Sequence, residues 1–129
     1  MASIDEIVAN RKAWLEALRS GEFRQGTGYL CQNDPNDEKE DSPLYFCCLG
    51  VACEKVLGLT RESMSKDGVW RYETGGEYPY IDTEFCFEQR NALGLSDDNV
   101  SALIEMNDAQ CASFEEIANF IETLPIWEP

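Results

Sequence analysis

Along this chain, helical and strand-like hydrophobic spacing alternate, and most stretches are closed by a recognisable stop. Ser3 followed by Glu6 is a capping-box start, and Ile4, Ile7, Val8, Trp14, Leu15 and Leu18 then recur at helical spacing as far as Gly21. This predicts a first helix over residues 4–20, with Arg11, Lys12 and Glu16 on its wet side. "GTGYLCQ" (26–32) places turn glycines before a strand-like Tyr-Leu-Cys. "NDPNDEKEDSP" (33–43) is polar and ends in a proline, which predicts an exposed loop. Its Asp34, Asn36 and Glu38 lack the central Gly and the spaced terminal Glu of a calcium loop.

"LYFC" is a short apolar run leading into "CLGVACEKVLGL", where Leu49, Ala52, Cys53, Val56 and Leu57 form a helical face and Gly58 a stop. "GVWRYETGGEYPYI" (68–81) reads as a hairpin around Thr-Gly-Gly-Glu, with Pro79 confining its strand to an edge. The pattern turns helical again from a capping Asp82 to the Leu-Gly-Leu of residues 93–95. Ser96 caps a further helix with Val100, Leu103, Ile104 and Met106 inward. Ser113 and Glu116 then box a last helix, carrying Phe114, Ile117, Phe120, Ile121 and Leu124, which Pro125 ends. The expected architecture is one small α+β domain over residues 1–129, a small antiparallel sheet with a hairpin packed against about five helices.

Length and composition agree with this picture, since 129 residues with 43% hydrophobic content suffice for a core without staples. No run is long and apolar enough to span a membrane, and the N-terminus lacks the basic start and apolar block of a secretory signal. The expected location is the cytoplasm.

Charge changes the picture most. Twenty-five acidic against ten basic residues give a net charge of −15. Residues 1–24 balance four against four, whereas residues 95–129 hold eight acids and no Lys or Arg. Such a field repels nucleic-acid backbones and anionic membranes, and it suits a solvated protein, a basic protein partner or cations.

The chain has no histidine, which removes Ser-His-Asp and Cys-His mechanisms and imidazole metal sites. Cys31, Cys47, Cys48 and Cys53 are separated by 15, no and four residues, with no Cys-x-x-Cys knuckle, so neither metal nor cofactor is expected. Cys47 and Cys48 stand at a strand-to-helix junction, where a helix N-terminus lowers a thiol's pKa. The nearby acids oppose a thiolate, and the preferred reading is of small buried hydrophobes.

Two polar stretches are harder to assign to packing. "RSGEFRQGTG" (19–28) gathers Arg19, Arg24, Gln25 and glycines after a helix stop, a combination able to contact an anion or small polar ligand, though it matches no phosphate-binding fingerprint. Asn107-Asp108 falls where a helix must end, and both are natural turn formers. Arg19, Arg24, Gln25, Asn107 and Asp108 are therefore the candidate ligand-binding residues.

"RKAWLEALRSGEFRQGTGYL", "YFCCLGVACE", "ALGL" and "MNDAQCASFEEIANFIE" together resemble a family of small uncharacterised proteins of bacteriophage and bacterial genomes. This chain has Met106 where the pattern has Leu, and additional cysteines at 31, 86 and 111. The resemblance implies an accessory protein working inside a bacterial cell. The function expected is non-enzymatic: binding and inhibiting or sequestering a host component, either a basic host protein or a small signalling molecule such as a nucleotide. The alternatives are a small cysteine- or carboxylate-dependent enzyme and a structural or assembly protein, possible as a homo-oligomer.

Overall fold

A computed structural model describes residues 2–33, 43–63, 68–76 and 78–127. The acidic loop expected before Pro43, its comparison with a calcium loop and Glu77 of the hairpin turn lie outside these residues. In chain order the elements are α1 (Ile4–Arg19), β1 (Arg24–Gln25), β2 (Cys31–Asn33), β3 (Leu44–Phe46) and α2 (Cys48–Lys55). They continue as β4 (Arg61–Ser63), β5 (Val69–Glu73), β6 (Tyr80–Ile81), α3 (Phe87–Leu93), α4 (Asp97–Asp108) and α5 (Phe114–Thr123). The fold is α+β, as expected.

The sheet runs β1-β3-β2-β5-β4, with β6 pairing β5. All pairs are antiparallel except β1 with β3, which places Arg24 beside Tyr45 and Gln25 beside Phe46 and makes the sheet mixed. The hairpin forms from β5 and β6 with Tyr72 opposite Ile81. Sequence spacing gave no sign of β1 or β4. Arg-Gln and Arg-Glu-Ser carry no apolar alternation, and what recruits them is the main chain, which must satisfy its own donors and acceptors.

Helix α2 is the centre of the molecule. Its residues Cys48 to Cys53 are all buried, so it shows core on every side rather than one apolar face. Gly50 explains how close it lies to the sheet: a Cβ there would fall 1.7 Å from the Leu30 carbonyl oxygen. The run of small residues in "CCLGVAC" is what lets a helix reach a strand backbone at this distance. Trp14 of α1, wholly buried, donates from Nε1 to the Cys48 carbonyl at 2.9 Å. Helix α1 packs against α2, α3 and α5, and α4 packs against α2 and α5.

The helix caps follow the sequence signals. Ser3, Ser96 and Ser113 each accept from the backbone N–H three residues on. Gly94 ends α3 in the left-handed conformation, at φ 66°. Helix α3 starts five residues beyond the expected Asp82 cap, because Phe85 turns into the core before the helix begins, and Gln89 Oε1 accepts from the Cys86 N–H instead.

Two expectations for α1 are corrected. Ile4 and Val8 are exposed, whereas Arg11, read as wet, is buried. Its guanidinium donates to the carbonyls of Leu93 and Gly94 at 2.8 Å and to those of Leu124 and Pro125, so it gathers the C-terminal ends of α3 and α5. A permanent cation suits this position because helix C-termini concentrate unpaired carbonyls and partial negative charge. No described helix is long and apolar enough to cross a membrane.

Candidate functional site

Gln25 and Asn107, 82 positions apart in sequence, meet at the junction of β1, α2 and α4. Gln25 Nε2 donates to Asn107 Oδ1 at 3.0 Å and to the Ala112 carbonyl at 2.7 Å. Asn107 Oδ1 also accepts from the Cys48 N–H at 3.3 Å, while its Nδ2 donates to the Gly26 carbonyl and to Asp108 Oδ1, both at 2.8 Å. Asn107 is 1% exposed and engages every hydrogen bond its amide can make.

The local sequence explains why Asn107 is needed. Cys47 occupies the N-cap of α2, and its side chain caps nothing. The first N–H groups of that helix are buried donors with no partner inside the helix. Asn107 supplies the missing acceptor from a different element, so α4 caps α2 across the core. A ligand reaching these amides would have to displace the bonds that join three elements.

Arg24 and Arg19 lie apart from this junction. Arg24 is exposed, and among the described residues its side chain makes no hydrogen bond or ion pair. Arg19 ties α1 to α5: it bonds Glu122, donates to Asn119 Oδ1 at 2.8 Å and faces Glu115 at 3.6 Å. The Glu122 hydrogen bond, foremost, holds the guanidinium pKa above its ordinary value. Arg19 also lines a surface groove of about 480 Å³ with Lys12, Leu15, Glu16, Ser20 and Glu122. The loop thus divides between two places: Gln25 is locked into the α2–α4 junction, and Arg19 rims the α1–α5 groove.

The cysteines are core residues. Cys31, Cys47, Cys48 and Cys53 are buried. Burial pushes the Cys31 and Cys47 thiols up to about 12, and it raises Cys48 and Cys53 well above the ordinary thiol value. Desolvation outweighs the backbone N–H groups of the α2 N-terminus, which act in the opposite direction on Cys47. At neutral pH these four groups are protonated and therefore poor nucleophiles. Among the described residues, no three His, Cys, Asp or Glu side chains are grouped as metal ligands.

A polar group that sequence reasoning missed lies under the sheet edge. Tyr72 of β5, wholly buried, donates its hydroxyl to Glu54 of α2 at 2.9 Å, and Arg61 of β4 donates to the same carboxylate at 2.8 Å. Arg61 also stands over the Trp70 ring at 4.8 Å. Arg61 is drawn inward because an edge strand alternates faces, and its side chain shares the core face with Tyr72 opposite.

Among the described residues, α4 and α5 carry acidic charge that is only partly compensated. Asp97, Asp98, Glu105, Glu115, Glu116 and Glu122 are exposed along these two helices. Arg90 pairs with Asp97, and Arg19 with Glu115 and Glu122. Asp98, Glu105 and Glu116 face solvent without an ion pair from the described residues.

No curated protein and no solved structure matches the chain. A family model matches residues 7–124, nearly the whole of it, and the chain belongs to that family, described as a domain of unknown function, DUF8296.

Proposed function

We propose that this chain is a non-enzymatic accessory protein of bacteriophage type that binds a basic surface on a host protein, inside the bacterial cell, and inhibits it. The observation that carries the reading is the exposed acidic face of α4 and α5, together with the absence of any Lys or Arg from residue 95 onward. Such a face steers cationic partners and rejects nucleic acids. The raised pKa of the Cys47 and Cys48 thiols adds support, because burial keeps the two cysteines at the α2 N-terminus protonated and poor as nucleophiles. The phage-type context rests on the motif resemblance of the sequence.

Capture from a bacterial lysate tests the reading when wild type is compared with a variant in which Asp98, Glu105 and Glu116 are replaced by Lys. The expected result is a basic protein retained by wild type, lost by the variant and inhibited in its own assay by the wild-type chain. A partner held equally by both chains would remove the charge from the explanation.

The groove beside Arg19 favours a second reading, sequestration of a small anionic molecule such as a nucleotide. Mass spectrometry of small molecules released on denaturing freshly purified protein separates the two. A stoichiometric anion would favour the groove.

A further inference from the structure

We propose that the basic partner is anchored on the aromatic face of the β5–β6 hairpin and the start of α3, and that the group captured there is an arginine-rich segment. This rests on the acidic-binder reading above and adds to the contact on α4 and α5 a second, separate contact with the same partner. Between Tyr72 and Gln89 the sequence carries Glu73, Glu77, Asp82, Glu84 and Glu88 and no Lys or Arg. The same stretch holds three exposed rings: Tyr78 at 66%, Tyr80 at 41% and Phe87 at 44%. Single exposed apolar residues are common, but three exposed rings within ten residues, interspersed with carboxylates, have the composition of an interface centre.

The fold brings these positions together. Glu88, in the first turn of α3, lies against the hairpin turn so closely that a Cβ on Gly76 would come within 2.3 Å of its Oε1. The Leu30 N–H donates to the Asp82 carbonyl at 2.7 Å, which ties the end of β6 to the chain before β2.

Two arginines bracket the stretch and already use its rings. Arg71 stands over the Tyr80 ring at 3.7 Å, and Arg90 lies 5.8 Å from the centre of Phe87. Tyr78, the most exposed ring, has no cation over it among the described residues. A guanidinium stacks flat on a ring and is more weakly hydrated than an ammonium, so arginine is favoured over lysine in the partner. Capture by side chains is also favoured over strand addition, because Pro79 has no N–H to offer at this edge.

The test titrates uniformly 15N-labelled wild-type chain with a blocked hexa-arginine peptide and a blocked hexa-lysine peptide, read by amide chemical shifts. Hexa-arginine should bind several-fold more tightly than hexa-lysine and shift amides between residues 73 and 88. Tyr78→Ser, whose side chain is largely solvated, and Phe87→Ser, whose ring is about half exposed, should each weaken hexa-arginine about fivefold while leaving hexa-lysine nearly unchanged. Circular dichroism of both variants checks that the fold is retained. Shifts confined to α4 and α5, with both variants binding as wild type does, would overturn this anchor and leave the acidic-binder reading intact. Equal binding of the two peptides would overturn the arginine preference. No binding of either peptide would overturn the anchor, while capture of a basic protein from lysate decides the broader reading separately.

Discussion

Asn107 is the residue on which the centre of the molecule depends. Its amide supplies an acceptor to the start of α2 and to Gln25, and a donor to the Gly26 carbonyl. Asn107→Ala strands these buried groups, and a lost buried partner costs about 1–3 kcal/mol. The expected outcome is a destabilisation of about 3 kcal/mol in urea titration, with Asn107→Asp no better, because a carboxylate has no donor for Gly26. An unchanged midpoint in either variant would contradict the capping role. The thiols give a second prediction at this scale. Their folded pKa values are raised, so the stability they contribute is complete below the unfolded thiol value of 9.0 and is lost as pH rises towards about 12. Urea midpoints should therefore decline above pH 9 through these groups and stay level between pH 6 and 8 as far as they are concerned. In native protein Cys111, the exposed cysteine, should react first with a thiol reagent, and the four buried thiols only on unfolding. Fast native labelling of Cys47 or Cys48 would revive the catalytic reading.

At the scale of elements, the fold turns on how near α2 approaches Leu30, the residue that leads into β2. Gly50→Ala places a methyl group where the Leu30 carbonyl already stands, and neither backbone can yield without moving its element. The expected cost is about 3 kcal/mol, at the upper end for overpacking, read as a lower thermal midpoint. The helices were legible in the sequence because their signals are local: Ser at three N-caps, Gly94 after the third helix, Pro125 after the last. The short strands β1 and β4 were not, since two or three charged residues become a strand only when a neighbour supplies the ladder. Arg11 shows a different failure. Its spacing from Ile7, Trp14 and Leu18 put it on the inward face, and reading the charge before the position sent it outward. The Gln25–Asn107 contact was beyond local signals altogether, although both residues stood among the candidates. It depends on long-range packing that no spacing encodes.

For the whole molecule, the surplus of negative charge sets the electrostatic balance. A chain of net charge −15 repels itself, and the six exposed acids on α4 and α5 are incompletely matched by Arg19 and Arg90. Its thermal midpoint should rise as salt is added from low ionic strength to about 0.15 M, where the screening length falls to about 8 Å. A midpoint that falls with salt would mean that attractive ion pairs, such as Arg61 with Glu54, outweigh the repulsion. We propose that this surplus of negative charge binds a basic host protein. The most direct test is the affinity of the captured partner for wild type and for the Asp98→Lys, Glu105→Lys, Glu116→Lys variant across a salt series. The expected affinity for wild type weakens steeply as salt rises and is lost in the variant. A partner bound with the same affinity by both chains, at every salt concentration, would contradict it.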